Sequence, residues 1–320
     1  MLLRWLLIFS HLLGDVPTGL KNLGYNSGVN AFIQSIFYFK SMRRRVFELK
    51  GQNNLVSGLV NFMQRMNTCA TPCEESLEEF MLLVEEQGWD RNWQQSFEES
   101  RKFFRQKLTE QDKRFSTFYE ETFAGKYVSS SRQLRKFTKY KLEGDKSMQN
   151  IRTIREVPKV LQIQLKREFP FSELYIPQSM KIIPYDNPQA PVDFVLLFVV
   201  AKAGDMYYVY LKDDPFTPDG TWFEVDGIHV SIRTLEEVLQ ASKLYAEIVF
   251  YADKSQLHTL FGKPFISRRM NQYIAVLMIV GGTGICVCVM FIVFSRRYDQ
   301  KKVGPQDKSS KDITEHIPML

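Results

Sequence analysis

Apolar and polar positions change their rhythm once along this chain, near residue 125. Before that point the apolar positions recur at helical spacing. Phe32, Ile33, Ile36 and Phe37 mark a helix within Asn30 to Phe39. Ser76-Leu-Glu-Glu reads as a capping box ahead of the apolar positions Phe80, Leu83 and Val84. A further helix is expected over about Gln94 to Leu108, followed by an element rich in aromatic residues that includes Phe115, Phe118 and Tyr119. From Gly125 onward the pattern is that of strands. Lys159–Lys166 alternates as KVLQIQLK, and Asp193–Val200 is a continuous apolar run of the kind buried on both faces. Met206–Lys212 is rich in Tyr and Val. Asp213–Gly220, with its prolines and aspartates, reads as a hairpin loop, and Thr221–Val225 as the returning strand. Ser231 is expected to cap a short helix through Leu239, and Ala246–Tyr251 to form a last strand. The body is therefore expected to be α+β, helical first and largely antiparallel second.

Two stretches follow neither rhythm. Tyr273–Phe294 is 22 residues without a charge, long enough as a helix to span about 30 Å of hydrocarbon. Arg268 and Arg269 precede it, and Arg296, Arg297, Lys301 and Lys302 follow, as headgroup anchors would. A single transmembrane helix is expected there, after a juxtamembrane linker at 254–272 and before a polar, disordered tail at 295–320. The basic excess lies slightly on the C-terminal side, which favours a cytoplasmic tail. The first 16 residues are also hydrophobic. Arg4 followed by Trp5–Leu13 suits a signal peptide, but Ser10 and His11 interrupt it, and a buried first element fits as well. The absence of any N-x-S/T sequon leans towards a cytosolic domain.

Composition narrows the function classes. The 320 residues are 44% hydrophobic and 24% charged, which excludes a disordered or disulfide-dense chain. A net charge of +6 without a basic stripe argues against a nucleic-acid partner. Arg43-Arg44-Arg45 is a short run that reads as a solvated face, or as a site for phosphate or an acidic partner. Cys69 and Cys73 form a lone C-x₃-C pair, and Cys286 and Cys288 lie in the apolar stretch, so neither pair makes a zinc site.

The segment Gly19-Leu-Lys-Asn-Leu-Gly-Tyr-Asn-Ser-Gly-Val-Asn-Ala-Phe-Ile-Gln34 carries the chemistry. It resembles the cysteine box of the ubiquitin-specific proteases, where a turn leads into a helix that starts at the nucleophile. A helix N-terminus lowers a thiol's pKa and offers N–H groups to an oxyanion. Further resemblances follow in the family's order. Gln94-Gln95-Ser96-Phe97-Glu98-Glu99 is similar to its QQDAHEF segment, with departures at Ser96 and Glu98. Phe123-Ala-Gly125 resembles the strand entering the fingers, and Val157–Arg167 the PPVLxLHLKR strand. Met206–Lys212 resembles HYxxYVK, Trp222–Asp226 resembles WYxFDD, and Ala246–Tyr251 resembles the closing strand. The resemblance spans residues 17–253 and implies a papain-like palm-and-thumb fold with reduced fingers.

The same resemblance assigns the site. Ser27 falls at the nucleophile, Asn22 at the oxyanion asparagine, Met206 at the general-base histidine and Asp226 at the third-member acid. A thioether cannot take up a proton near neutral pH, so the Cys–His mechanism is not expected to run. The expectation is an inactive, membrane-anchored member of the family with a binding or scaffolding role, and with ubiquitin or a ubiquitin-like protein as partner. Two alternatives stay open. One is a hydrolase using Ser27 with a displaced histidine, His229 or His258. The other is a single-pass receptor or adaptor that reuses the fold. The family's CxxC zinc pairs are absent, so neither metal nor cofactor is expected.

Overall fold

The structure is a computed structural model. It describes residues 17–262 apart from 50–53, 69–73, 92–95, 130, 132, 144–153 and 167–172. The expected membrane segment 273–294, the hydrophobic N-terminus 1–16, the tail 295–320, Cys69, Cys73, Gln94 and Gln95 lie outside the described residues. Among the described residues no helix is long and apolar enough to cross a membrane.

The first half is helical. Helix α1 (Ser27–Tyr38) begins at the residue where the resemblance places a nucleophile, three residues before the helix expected from periodicity. It is buried on every side, its apolar faces in the core and its polar stripe of Ser27, Asn30 and Gln34 under the incoming chain. Then come α2 (Lys40–Phe47), α3 (Asn54–Thr68), α4 (Glu74–Glu86), α5 (Phe97–Gln111) and α6 (Lys113–Phe123). Phe32, Phe80 and Phe104 stack between α1, α4 and α5, with centroids 5.2 and 6.0 Å apart.

Two helix starts differ from expectation. Ser76 does not precede its helix, because α4 already begins at Glu74. A capping box is formed by Ser96 with Glu99, ahead of α5. Ser231 caps nothing. It lies in strand β10 (His229–Arg233), and Thr234 with Glu237 forms the capping box of α7 (Leu235–Tyr245). Ile232 and Val230 continue a two-residue period past Ser231, so the helix cannot begin until Thr234.

The second half builds two sheets. Strands β1 (Gly125–Val128), β2 (Leu134–Phe137) and β4 (Ile154–Glu156) form a three-stranded sheet in the order β2-β1-β4. Tyr127, Phe137 and Tyr140 pack edge to face beside it. The larger sheet runs β10-β9-β8-β7-β11-β5-β3, with β6 (Ser179–Ile182) paired to β7. It comprises β3 (Tyr140–Glu143), β5 (Val160–Lys166), β7 (Val192–Ala203), β8 (Met206–Lys212), β9 (Trp222–Asp226), β10 and β11 (Ala246–Asp253). All of its pairings are antiparallel except β3 with β5.

This sheet separates two cores by the alternation of its side chains. Phe198, Val200, Ile248 and Phe250 pack against the helices, while Leu196, Val199, Val249 and Tyr251 pack on the other side, where Val238 of α7 and Met180 of β6 cover them. That is why β7 reads as an unbroken apolar run. The chain then continues as structure where a linker was expected. A 3₁₀ turn (Lys254–Gln256) leads into α8 (Leu257–Phe261), whose Leu257, Leu260 and Phe261 are buried. The Phe261 ring lies 5.2 Å from Tyr38 and 5.5 Å from Phe39, so the domain's core extends to residue 261.

Candidate functional site

The turn before α1 is held by its own side chains. Asn26 precedes the helix, but its amide does not cap it. Instead Leu23 N–H donates to Asn26 Oδ1 at 2.8 Å, and Asn26 Nδ2 donates to the Lys21 carbonyl and to Asn30 Oδ1. Asn30 Nδ2 in turn donates to the carbonyls of Leu20 and Lys21, and Gln34 Nε2 donates to the Thr18 carbonyl at 2.6 Å. Asn30 and Gln34 sit one and two turns into α1 and reach back along the incoming chain. Each therefore satisfies backbone carbonyls that the loop could not otherwise pair.

The same loop rests on the β9–β10 turn. Leu20 N–H donates to the Gly227 carbonyl at 2.7 Å. Gly227 has φ +57, and a Cβ on Gly19 would meet the Ile228 carbonyl oxygen at 2.4 Å. Both positions need glycine, one for its backbone conformation and one for close approach.

Ser27 opens α1 but is only 2% exposed, and its Oγ has no hydrogen-bond partner. Asn22 Oδ1 accepts from Gly24 N–H, and Asn22 Nδ2 points at Met206 Sδ at 3.6 Å. Thioether sulfur is a weak acceptor, so this contact holds the amide lightly. Asn22, Ser27, Gln34, Tyr207 and Gly227 line a cavity of about 10 Å³, no larger than one water requires. No extended peptide fits there in this conformation. Met206 is itself 42% exposed at the start of β8. Asp226 ends β9 half-buried, outside that cavity, and its charge faces Tyr208.

The tyrosines beside the cavity do not replace the base. Burial, together with the Glu247 carboxylate that accepts its hydroxyl at 2.9 Å, pushes the Tyr207 phenol far above its ordinary pKa. Tyr208 is pushed up to about 12, first by burial and then by Glu224, Tyr245 and Asp226. Both stay protonated near neutral pH and cannot accept a proton.

No protein-family model matches the chain, and no curated protein matches it. Solved structures do match. The SAGA DUB module Ubp8/Sgf11/Sus1/Sgf73 bound to ubiquitin aldehyde aligns with a TM-score of 0.55 at 15% identity, over 75% of this chain and 70% of that one. The same module bound to monoubiquitin aligns at 0.54 and 15%, over 75% and 69%. A yeast SAGA DUB module with mutant Sgf73 gives 0.54 and 15%, over 75% and 69%. The fold is that of the ubiquitin-specific protease Ubp8.

Within this protease-like fold the four assigned positions are only partly gathered. Asn22 touches Met206, and Asn22 shares a cavity with Ser27. The displaced histidines do not complete a dyad. His229 is exposed at the start of β10, paired in register with Asp226, and the His258 ring packs 5.1 Å from Phe216. Neither donates to or accepts from Ser27 Oγ. Among the described residues no cluster of His, Cys, Asp and Glu is arranged to hold a metal.

One buried ion pair belongs to none of the motifs in the sequence. Arg101 is 6% exposed and grips Glu98 with two hydrogen bonds, at 2.9 and 2.7 Å, while its third donates to Tyr119 at 2.6 Å. Lys139 lies 3.0 Å from the same carboxylate. Burial alone would raise the Glu98 carboxyl, but its bonds and charge contacts with Arg101 and Lys139 outweigh this and lower it. The available signal was Glu98 itself, a departure from the family segment lying three residues before an arginine on one helix face.

Proposed function

We propose that this chain is a non-hydrolytic, membrane-anchored protein of ubiquitin-specific-protease fold that binds or scaffolds in the ubiquitin or ubiquitin-like pathway. The observation that carries the reading is Met206 beside Asn22. Where the resemblance puts a proton-accepting imidazole, a thioether meets the amide that would serve an oxyanion. The buried, unpartnered hydroxyl of Ser27 supports it, because a serine without a base is a poor nucleophile. Ubiquitin as partner is supported by the fold shared with modules solved with monoubiquitin and ubiquitin aldehyde. The anchor rests on the uncharged stretch Tyr273–Phe294 and its basic flanks.

The test uses the purified full chain and a fluorogenic ubiquitin substrate. No turnover is expected, with ubiquitin contacts visible as chemical-shift changes on isotope-labelled ubiquitin. Turnover that Ser27→Ala abolishes would overturn the non-hydrolytic reading. Protease protection in microsomes tests the anchor separately, since a fully digested chain in intact vesicles rules out a lumenal domain, and release by alkaline carbonate removes the anchor.

A further inference from the structure

Arg44 and Arg45, two residues of the arginine run that the proposed function leaves unused, line a cleft. Between α2 and α6 lies a cavity of about 350 Å³, within the range of small-ligand sites. Arg44 and Arg45 reach it from α2, and Arg114 and Thr117 from α6. Ser41 lies at its wall, 8% exposed, with no partner for its Oγ. Arg45 Nε is likewise buried without a partner.

The cleft and its rim are balanced in charge but rich in donors. Arg45 bridges Glu48 at 3.0 Å and Asp112 at 3.6 Å. Arg44 lies 3.8 Å from Glu48, and Arg114 lies 3.0 Å from Asp112. Glu121 is the second carboxylate of the lining after Glu48, and Asp112 stands just outside it. Each guanidinium carries five N–H donors in a fixed fork, far more than these contacts use. Arg44 and Arg114 are 77% and 80% exposed and unpacked; Arg44 is only 3.8 Å from Glu48, whereas Arg114 clasps Asp112 through Nε at 3.1 Å and Nη2 at 3.0 Å and would exchange that carboxylate for the ligand on turning inward. A cation would have to displace arginine from a carboxylate. A carboxylate ligand brings two acceptor oxygens. A phosphate group brings three, enough to share among two guanidinium forks and a hydroxyl.

We propose that the α2–α6 cleft binds a phosphate monoester, carried either by a small soluble ester or by the monoester headgroup of a phospholipid such as phosphatidic acid. Arg44 and Arg114 close on it from the two rims, and Ser41 Oγ donates from the wall. This site is separate from the Ser27 cavity and does not depend on how that cavity is read.

The experiment uses the full chain in phosphatidylcholine nanodiscs at constant ionic strength. Glycerol 1-phosphate is titrated in one arm, and nanodiscs containing phosphatidic acid replace the plain ones in the other. Hydrogen exchange over residues 40–48 and 113–121 is the readout, with phosphorus-NMR line broadening for the soluble ester. Saturable protection is expected in at least one arm. The arm that responds names the source, and a response in both means that the phosphate itself is recognised. The double variant Arg44→Gln/Arg114→Gln, whose exposed side chains leave the melting temperature nearly unchanged, is expected to weaken binding about tenfold or more. Ser41→Ala is expected to weaken it about threefold. Protection in neither arm overturns the proposal, and so does protection that the double variant retains in full.

Discussion

The turn-and-helix segment at residues 18–34 and the hairpins at residues 206–233 face one another across one small cavity, and they are held by different things. The first keeps its buried polar framework. Asn26, Asn30 and Gln34 all spend their amides on backbone groups of the incoming chain. The second keeps its pairing register, with Val209 opposite Val225 and Val225 opposite Val230. At its first position, where the resemblance places an imidazole, stands Met206. The difference separates two demands on the same neighbourhood. Buried carbonyls cost free energy in any state of the protein, so their partners are needed for folding alone. Met206 is 42% exposed, so the identity of the side chain at that position bears little on packing.

The largest expected effect breaks the framework side. Asn30→Ala removes two donors to buried carbonyls and the acceptor of Asn26, and should destabilise the fold by about 3 kcal/mol in denaturant unfolding. A loss below about 1 kcal/mol would mean that the framework is dispensable. Next is the contact between the two regions. Gly19→Ala puts a methyl group against the Ile228 carbonyl and should cost about 2 kcal/mol, the usual scale of overpacking.

A pH effect from outside both regions serves as a control. The Glu98 carboxyl is lowered in the folded state. Its contribution is therefore complete above the unfolded value near 4.5 and fades as pH falls through and below it. Melting temperature should drop on that acid limb, and Glu98→Gln should flatten the drop. An unchanged limb would show that Glu98 carries no linked stability. The smallest effects belong to the hairpin side. Met206→Leu should change stability by less than about 0.5 kcal/mol, because the residue is half in solvent. A larger loss would show that the thioether contact with Asn22 supports the turn.

The helix at the Ser27 position and the ordered strands were legible because each rests on local pattern. Apolar spacing marks α1, and alternation or unbroken apolar runs mark β5 and β7. Helix starts were less legible. Ser76 and Ser231 satisfy the same short pattern as Ser96 and Thr234, but a cap requires that the chain turn into the helix at that residue, and strand β10 runs past Ser231. Residues 254–261 were read as linker because they follow the last strand and are mixed in polarity. Leu257, Leu260 and Phe261 are buried because they join the helical core, where Phe261 meets Tyr38 and Phe39 from more than 200 residues earlier. The Glu98–Arg101 pair shows on one helix, but its burial depends on Tyr119 and Lys139 from later elements.

By itself the sequence determined which chemical groups this protein has. A hydroxyl stands at 27, a thioether at 206 and a carboxylate at 226, and a side chain's proton affinity begins with its covalent identity. The tertiary structure decided what those groups meet. It set Asn22 against Met206 across 184 residues of chain, sealed Ser27 away from solvent, kept Asp226 out of the cavity, and opened a donor-rich cleft beside an arginine run. Partners and exposure come from packing between distant elements, and no local pattern of residues encodes them.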